Sequence, residues 1–145
     1  MVKIRKFYLA NYNYIRETIM AKYVLMGKYS NEFSSAMVHT PQDRMDVVEP
    51  MLINFGVKLI EFLYIPNNPN DDFIAIVDAS EEKSLLGAVQ MVFASGTFTR
   101  VNAFRAFSSG EMKEIFQKGH DGMSSFISAK KLHDLNNVWQ SNFFY

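Results

Sequence analysis

The order of strand-like and helix-like segments constrains this chain more than any other feature of its sequence. Between residues 21 and 107, four runs rich in β-branched and aromatic residues alternate with two segments whose apolar residues fall at helical spacing. The four runs are Ala21–Tyr29, Val57–Ile65, Asp72–Asp78 and Phe98–Phe107. The resulting order, β-α-β-β-α-β, predicts an α+β domain with one four-stranded antiparallel sheet and both helices on one face. This is the split βαβ, or ferredoxin-like, arrangement.

Capping residues predict where the helices begin and end. Thr40 is a good N-cap for the first helix, Pro41 suits its first position, and Gly56 supplies a left-handed stop. Ser80 is expected to cap the second helix, and Gly96 to end it. The apolar positions of the two helices are Met45, Val48, Leu52 and Phe55 in the first, and Leu85, Val89 and Val92 in the second. A capping box, Ser108 with Glu111, predicts a third helix after the last strand.

Length and charge exclude several function classes. The chain has 145 residues, which favours one domain, and its fifteen basic residues balance fifteen acidic ones. Without a basic excess we expect no nucleic-acid partner. No apolar stretch is long enough to span a bilayer, so no membrane partner is expected either. The absence of cysteine excludes disulfides and thiolate chemistry, and together with the lack of a signal peptide it predicts a cytoplasmic location.

Composition divides the chain into three segments. Residues 1–19 are rich in Tyr, Asn and Lys and differ in this from the rest of the chain, so we interpret them as an N-terminal extension that is dispensable for folding. The alternative is a segment that docks on the domain through its tyrosines. Residues 20–119 form the predicted α+β domain. Residues 120–145 form a C-terminal extension with a further weak helix.

One face of the predicted sheet has no helices to cover it. Alternation along the fourth strand places Phe98, Arg100, Asn102 and Phe104 on this open face, because the small apolar residues Val101 and Ala103 suit helix packing. A bare apolar sheet face is costly in water. We therefore expect a homodimer that pairs through the open face; the C-terminal extension folding back over it is the alternative.

The stretch from Lys22 to about Gln117 resembles the GYD domain family. The matching segments are Lys22–Ser30, Gly56–Phe62, Asp72–Ala79 and Phe98–Phe107, which look like the strands of that family. The name-giving Gly-Tyr-Asp stands here as Asn70-Asp71-Asp72, so only Asp72 is kept. The resemblance implies a dimeric α+β barrel in which two open sheet faces close on each other. Proteins of this architecture include cofactor-free oxygenases, lactone isomerases and haem proteins, so the resemblance implies no single activity.

Five residues are candidates for a ligand site. Asp72, which the resemblance singles out, can act as an acid or base or contact a ligand, or it can accept backbone hydrogen bonds in its turn. Arg100 and Asn102 can bind an anionic or carbonyl-bearing ligand, or Arg100 can pair with a carboxylate across the dimer, Glu61 being one candidate. Tyr23 and Tyr29 are further candidates on the first strand.

The sequence leaves three function classes open. We expect small-molecule binding in the barrel or at its mouth; the alternatives are an interaction module with a solid dimer interface, and a cofactor-free oxygenase or isomerase or a haem binder. No nucleophile elbow, phosphate-binding loop or metal-ligand spacing occurs, and the histidines are His39, His120 and His133. No metal or cofactor is therefore predicted, and the catalytic residues, if the protein is an enzyme, are not indicated.

Overall fold

A computed structural model of the chain describes residues 20–142, with side chains described through residue 139. Internal contacts divide the chain into two compact units, with the boundary in the sequence after Ala106. Within its described residues, 20–106, the first unit contains a four-stranded antiparallel sheet and three helices, so the predicted α+β class is confirmed. Its elements are β1 (Ala21–Tyr29), α1 (Asn31–His39), α2 (Met45–Asn54), β2 (Val57–Tyr64), β3 (Phe73–Ala79), α3 (Glu82–Ala94) and β4 (Phe98–Arg105).

The strands lie in the order β2-β3-β1-β4, and each neighbouring pair is antiparallel. This order is compatible with the ferredoxin-like arrangement. The two central strands, β1 and β3, are flanked on both sides, and alternate residues in the middle of each are buried. All four predicted strands are present, with ends that differ from the prediction by two residues at most.

The hydrophobic core lies on the sheet face that carries the helices. Alternate residues of β3, from Phe73 to Ala79, are buried there, while the residues between them are partly exposed on the opposite face. Leu52 of α2 and both Leu85 and Ala88 of α3 are buried from the helix side. The buried core comprises Tyr23, Leu25, Leu52, Val57, Phe73, Ala75, Val77, Ala79, Leu85 and Ala88.

A β-bulge changes which face part of β4 presents. The pairing of β1 with β4 shifts between Lys28 and Tyr29, which places Phe98 directly opposite Tyr29. Phe98 therefore packs against the core, and the prediction that it lies on the open face is wrong. Beyond the bulge the alternation holds: Val101 and Ala103 pack against the core, and the residues between and beside them lie on the open face, namely Arg100, Asn102 and Phe104.

The first helical region contains two helices rather than one. Ser30 caps α1 by accepting a hydrogen bond from the Phe33 backbone N–H at 3.1 Å. Thr40 is the C-cap of α1, where its N–H donates to the Ala36 carbonyl, so its predicted role as an N-cap is wrong. Sequence patterns missed α1 because it buries none of its residues and so has no apolar stripe.

The remaining helix boundaries lie close to their predicted positions. α2 follows Arg44 and ends before Gly56, which has the left-handed φ of 68° that a stop glycine needs. α3 has Glu81 rather than Ser80 as its N-cap, because the Ser80 hydroxyl donates instead to the Gly56 carbonyl at 3.2 Å. Gly96 follows α3 with a φ of 78°.

The second unit is helical. It contains α4 (Ser109–Asp121), a 3-10 turn (Met123–Ser125) and α5 (Ala129–Asn142). The predicted capping box is present, since Ser108 and Glu111 each accept a hydrogen bond from the backbone of the other. Among the helices of residues 20–142, none has both the length and the apolar character needed to cross a bilayer. The predicted role of residues 1–19 lies outside the described residues.

Candidate functional site

A cavity lies between the sheet and its helices in the first unit. Helices α2 and α3 lie on the same face of the sheet. α2 packs over the edge strand β2, whereas α3 packs over β4 and β3. The two helices leave a gap above the central strands, and this gap is a cavity of about 400 Å³. Its floor is formed by Leu25 of β1 together with Ala75 and Val77 of β3. We call it the main cavity.

The walls of the main cavity are almost entirely apolar. Two of its buried lining residues, Ala75 and Ala88, are small, so the sheet and α3 do not fill the space between them. The apolar side chains that α2, α3, β2 and β4 contribute are Met45, Val47, Val48, Met51, Leu52, Leu59, Phe62, Leu85, Val89, Met91, Val92, Phe98 and Val101. Such a lining offers an apolar ligand the same environment as the protein core.

Tyr29 forms one end of the main cavity within a group of aromatic rings. Its ring stacks on Phe33 at 4.1 Å between centroids and lies 5.0 Å from Phe98. Burial raises the pKa of Tyr29 well above its usual value, and a hydrogen bond to the Tyr64 side chain raises it further. The Tyr29 phenol is therefore a neutral hydrogen-bonding group at physiological pH.

Apart from the Tyr29 phenol, the polar side chains that line the main cavity lie at one rim. Arg44, Ser95 and Thr97 line this rim, and they also line a second, more polar cavity of about 260 Å³. We call this second cavity the outer cavity, and its lining also includes Glu32 and Gln42. The apolar and the polar cavity therefore lie side by side, and Arg44 belongs to the walls of both.

The two tyrosines among the sequence candidates lie on the helix face of β1. Tyr29 lines the main cavity. Tyr23 is buried in the core, and the Arg105 guanidinium lies 5.8 Å from its ring centroid, which is a cation–π arrangement. Tyr23 does not belong to the cavity lining, so the structure brings only one of the two tyrosines to it.

Asp72 and Arg100 form ion pairs within the chain. The Asp72 carboxylate accepts a hydrogen bond from the Tyr29 backbone N–H at 2.9 Å and pairs with Lys28 Nζ at 3.3 Å. It thus holds the neighbouring strand β1, whereas hydrogen bonding within its own turn was expected. Arg100 pairs with the buried carboxylate of Asp71 at 2.9 Å and also donates to the Asn70 carbonyl.

These pairs change the interpretation of Arg100. Asp71, in the same chain, provides a carboxylate for Arg100, whereas the sequence had suggested a carboxylate across the dimer, with Glu61 as one candidate. Asn102 lies opposite Met26 in the sheet, on the same open face as Arg100. A ligand role for Asp72, Arg100 and Asn102 stays a prediction, separate from the main cavity.

Metal-ligating side chains do not gather in the described part of the chain. Within residues 20–142, no group of three His, Cys, Asp or Glu side chains is arranged to hold a metal ion. His39 and His133 each contact a neighbour on their own helix: His39 Nδ1 lies 2.8 Å from the Ser35 carbonyl, and His133 Nε2 lies 2.9 Å from Asn137.

Sequence patterns did not reveal the main cavity or Arg44. Helical spacing identified Val48, Leu52, Leu85 and Val89 as core residues, which is correct, but the same pattern is produced by a filled core and by one with a void. The available signal was the small Ala75 in the middle of a central strand otherwise rich in large residues.

The chain matches no protein-family model and no curated protein.

Proposed function

We propose that the protein binds an apolar small molecule in the main cavity. The observation that carries this proposal is a cavity of about 400 Å³ lined by apolar side chains between the sheet, α2 and α3. Sites for small molecules are commonly about 300–1,000 Å³, mostly apolar, with a few polar groups that fix orientation. The main cavity has this composition, with Tyr29, Arg44, Ser95 and Thr97 as the polar groups.

The lining favours binding over acid–base catalysis. No described residue that lines the main cavity is Asp, Glu or His, the usual general acids and bases. The Tyr29 phenol keeps its proton because burial raises its pKa, and a guanidinium is always charged. We therefore propose a binding protein, with the bound molecule unchanged.

A neutral fluorescent probe tests this function. N-phenyl-1-naphthylamine is apolar and fluoresces more strongly out of water, so its titration into the protein is expected to give a saturable increase at one site per chain. Val89→Phe places a larger side chain into the main cavity from α3 and is expected to abolish that increase. Because it fills a void with an apolar group, it is also expected to keep or raise the melting temperature.

Val38→Phe is the matched control for this variant. Val38 lies on α1, is 78% exposed and does not line the main cavity. The same substitution there is expected to leave probe binding unchanged. If Val89→Phe folds and binds the probe as tightly as the unaltered protein does, the main cavity is not the binding site.

We also propose that the open sheet face pairs with a second copy of the chain. The support for this proposal is the apolar surface of that face, where Phe104 is 55% exposed and Leu63 is 49% exposed beside the half-buried Val24, Ile74 and Ile76. Pairing would bury these groups and remove them from water. The dimeric barrel implied by the GYD resemblance closes in the same way, and we propose membership of that family on the strength of its strand segments.

A further inference from the structure

We infer that the ligand of the main cavity is amphipathic, with an apolar body inside the cavity and a carboxylate held by Arg44 at its rim. This inference rests on the proposed function and adds the chemical class of the ligand to it. Three observations on the described residues carry it: the position of Arg44, its lack of a carboxylate partner among them, and the direction in which its charge acts.

Arg44 belongs to the walls of both cavities. It is half-buried, directly precedes α2, and lines both the main cavity and the outer cavity. A ligand whose apolar part fills the main cavity would therefore have its polar end within reach of this guanidinium. A guanidinium fork matches the two oxygens of a carboxylate, and such paired hydrogen bonds are among the stronger ones in proteins.

Arg44 has no acidic partner among the described residues. Its Nη1 donates to the neutral amide oxygen of Gln42 at 2.8 Å, and within residues 20–142 it forms no ion pair. Arg100, by contrast, has the carboxylate of Asp71. A half-buried cation that holds only one neutral acceptor keeps capacity for an anion, because most of its five donors remain available.

The charge of Arg44 acts on the main cavity. It lowers the pKa of Tyr29, opposing the larger increase that burial causes, so its field reaches the aromatic end of the main cavity. Arg44 is also the only charged residue among the described residues that line the main cavity. Glu32, the acidic residue of the outer cavity, is exposed to solvent and does not line the main cavity, so water screens its charge.

The other polar groups of the rim are already engaged. The Ser95 hydroxyl donates to the Val92 carbonyl at 2.5 Å and lies 2.8 Å from the Thr97 hydroxyl. Because Ser95 gives its one hydroxyl proton to Val92, Thr97 is the donor of the second hydrogen bond, and neither hydroxyl carries a charge. Arg44 is therefore the group that determines which polar end the ligand carries.

A pair of ligands with the same chain and different ends tests the inference. Decanoate and 1-decanol are titrated at pH 7.5 against the protein loaded with N-phenyl-1-naphthylamine, and each dissociation constant is obtained from displacement of the probe. Decanoate is expected to bind about ten-fold more tightly than 1-decanol, which is the size of one charge-assisted hydrogen bond in a partly solvated site. Arg44→Gln is expected to remove this preference and leave the affinity for 1-decanol unchanged.

Two further variants complete the design. Arg44→Lys keeps the positive charge and is expected to keep part of the preference. Lys58→Gln removes one positive charge from an exposed position of β2, outside both cavity linings, and is expected to keep the full preference. This control separates a local effect of Arg44 from the loss of one unit of net charge.

The failure of this inference is distinguishable from the failure of the proposed function. Equal affinities for decanoate and 1-decanol in the unaltered protein overturn the inference and leave the binding function in place. The same conclusion holds if Arg44→Gln keeps the ten-fold preference. If the probe and both ligands fail to bind the unaltered protein, the proposed function is wrong, and the inference is overturned with it.

Discussion

Gly27 shows how a single residue positions the aromatic end of the main cavity. A Cβ atom at this position would lie 2.4 Å from the Arg100 carbonyl oxygen and 2.9 Å from the Phe73 ring. Phe73 is buried and stacks on Phe62 at 5.2 Å between ring centroids. The absence of a side chain at Gly27 therefore lets β4 and Phe73 approach β1 closely enough to build the aromatic group.

We predict that Gly27→Ala lowers the free energy of unfolding by about 2 kcal/mol, because the clash involves backbone and cannot be relieved by a rotamer change. Gly119→Ala is the control: nothing lies within 4 Å of the added Cβ, and alanine favours the interior of α4 by roughly 0.5–1 kcal/mol. Urea unfolding monitored by circular dichroism measures both. Equal midpoints for Gly27→Ala and the unaltered protein would contradict the prediction.

Tyr29 predicts a specific dependence of stability on pH. Its pKa is raised in the folded state, so the folded protein keeps a proton that tyrosines of the unfolded chain lose near pH 10. The unfolded state then binds fewer protons, and stability falls as the pH rises through that range. The contribution of Tyr29 is fully present below about pH 10 and is lost above it.

We therefore expect Tyr29→Phe to be less stable than the unaltered protein at pH 8, because it loses the hydrogen bond to Tyr64. We expect this gap to narrow between about pH 10 and pH 11, since phenylalanine has no proton to lose. Urea midpoints measured at steps of half a pH unit give the gap directly. A gap that stays constant up to pH 11 would show that Tyr29 ionises as easily in the folded protein as in the unfolded one.

At the scale of elements, the sequence predicted the sheet better than the helices around it. The strands were identified because β-branched and aromatic residues cluster in runs of the right length, and the stop glycine Gly56 ends α2 as expected. α1 was missed because it packs few apolar residues, and Thr40 was assigned to the wrong end of a helix. Capping residues are ambiguous in this way when one helix comes directly after another.

The faces of the strands were predictable only where the alternation is unbroken. The bulge after Lys28 moves Phe98 to the helix face. The sequence pattern did not predict this bulge. The main cavity was not predictable either, because it depends on how far apart α2 and α3 lie. That separation is a property of packing, whereas hydrophobic spacing reports only which side of each helix faces the sheet.

The interpretation of residues 1–19 as an N-terminal extension stays a prediction, and a truncated chain tests it. Among residues 20–142, the buried core residues all lie between Tyr23 and Ala88, inside the sheet and its helices. A chain that begins at Met20 is therefore expected to unfold in one cooperative transition, with a midpoint close to that of the whole chain. Thermal unfolding monitored at 222 nm compares the two. Loss of the cooperative transition would show that residues 1–19 are needed for the core.

At the scale of the whole molecule, the open sheet face predicts association. Sedimentation equilibrium at micromolar concentration is expected to give twice the chain mass of 16.7 kDa. Phe104→Asp puts an unpaired charge on that face and is expected to weaken the dimer, because the charge would lose its water. Val38→Asp, at an exposed position of α1 away from the open face, tests whether added negative charge alone has the same effect. A mass of 16.7 kDa that does not change on dilution would contradict the dimer.

Methyl NMR tests most directly whether the ligand binds in the main cavity, because neighbouring residues of one strand report on opposite faces of the sheet. Ala75 and Leu25 line the main cavity, whereas Ile76 and Val24 lie next to them in sequence on the open face. With Ala, Ile, Leu and Val methyl groups labelled, titration of 1-decanol is expected to shift the signals of Ala75 and Leu25 in a saturable way and to leave those of Ile76 and Val24 nearly unchanged. Shifts confined to Ile76 and Val24 would place the ligand on the open face and contradict binding in the main cavity.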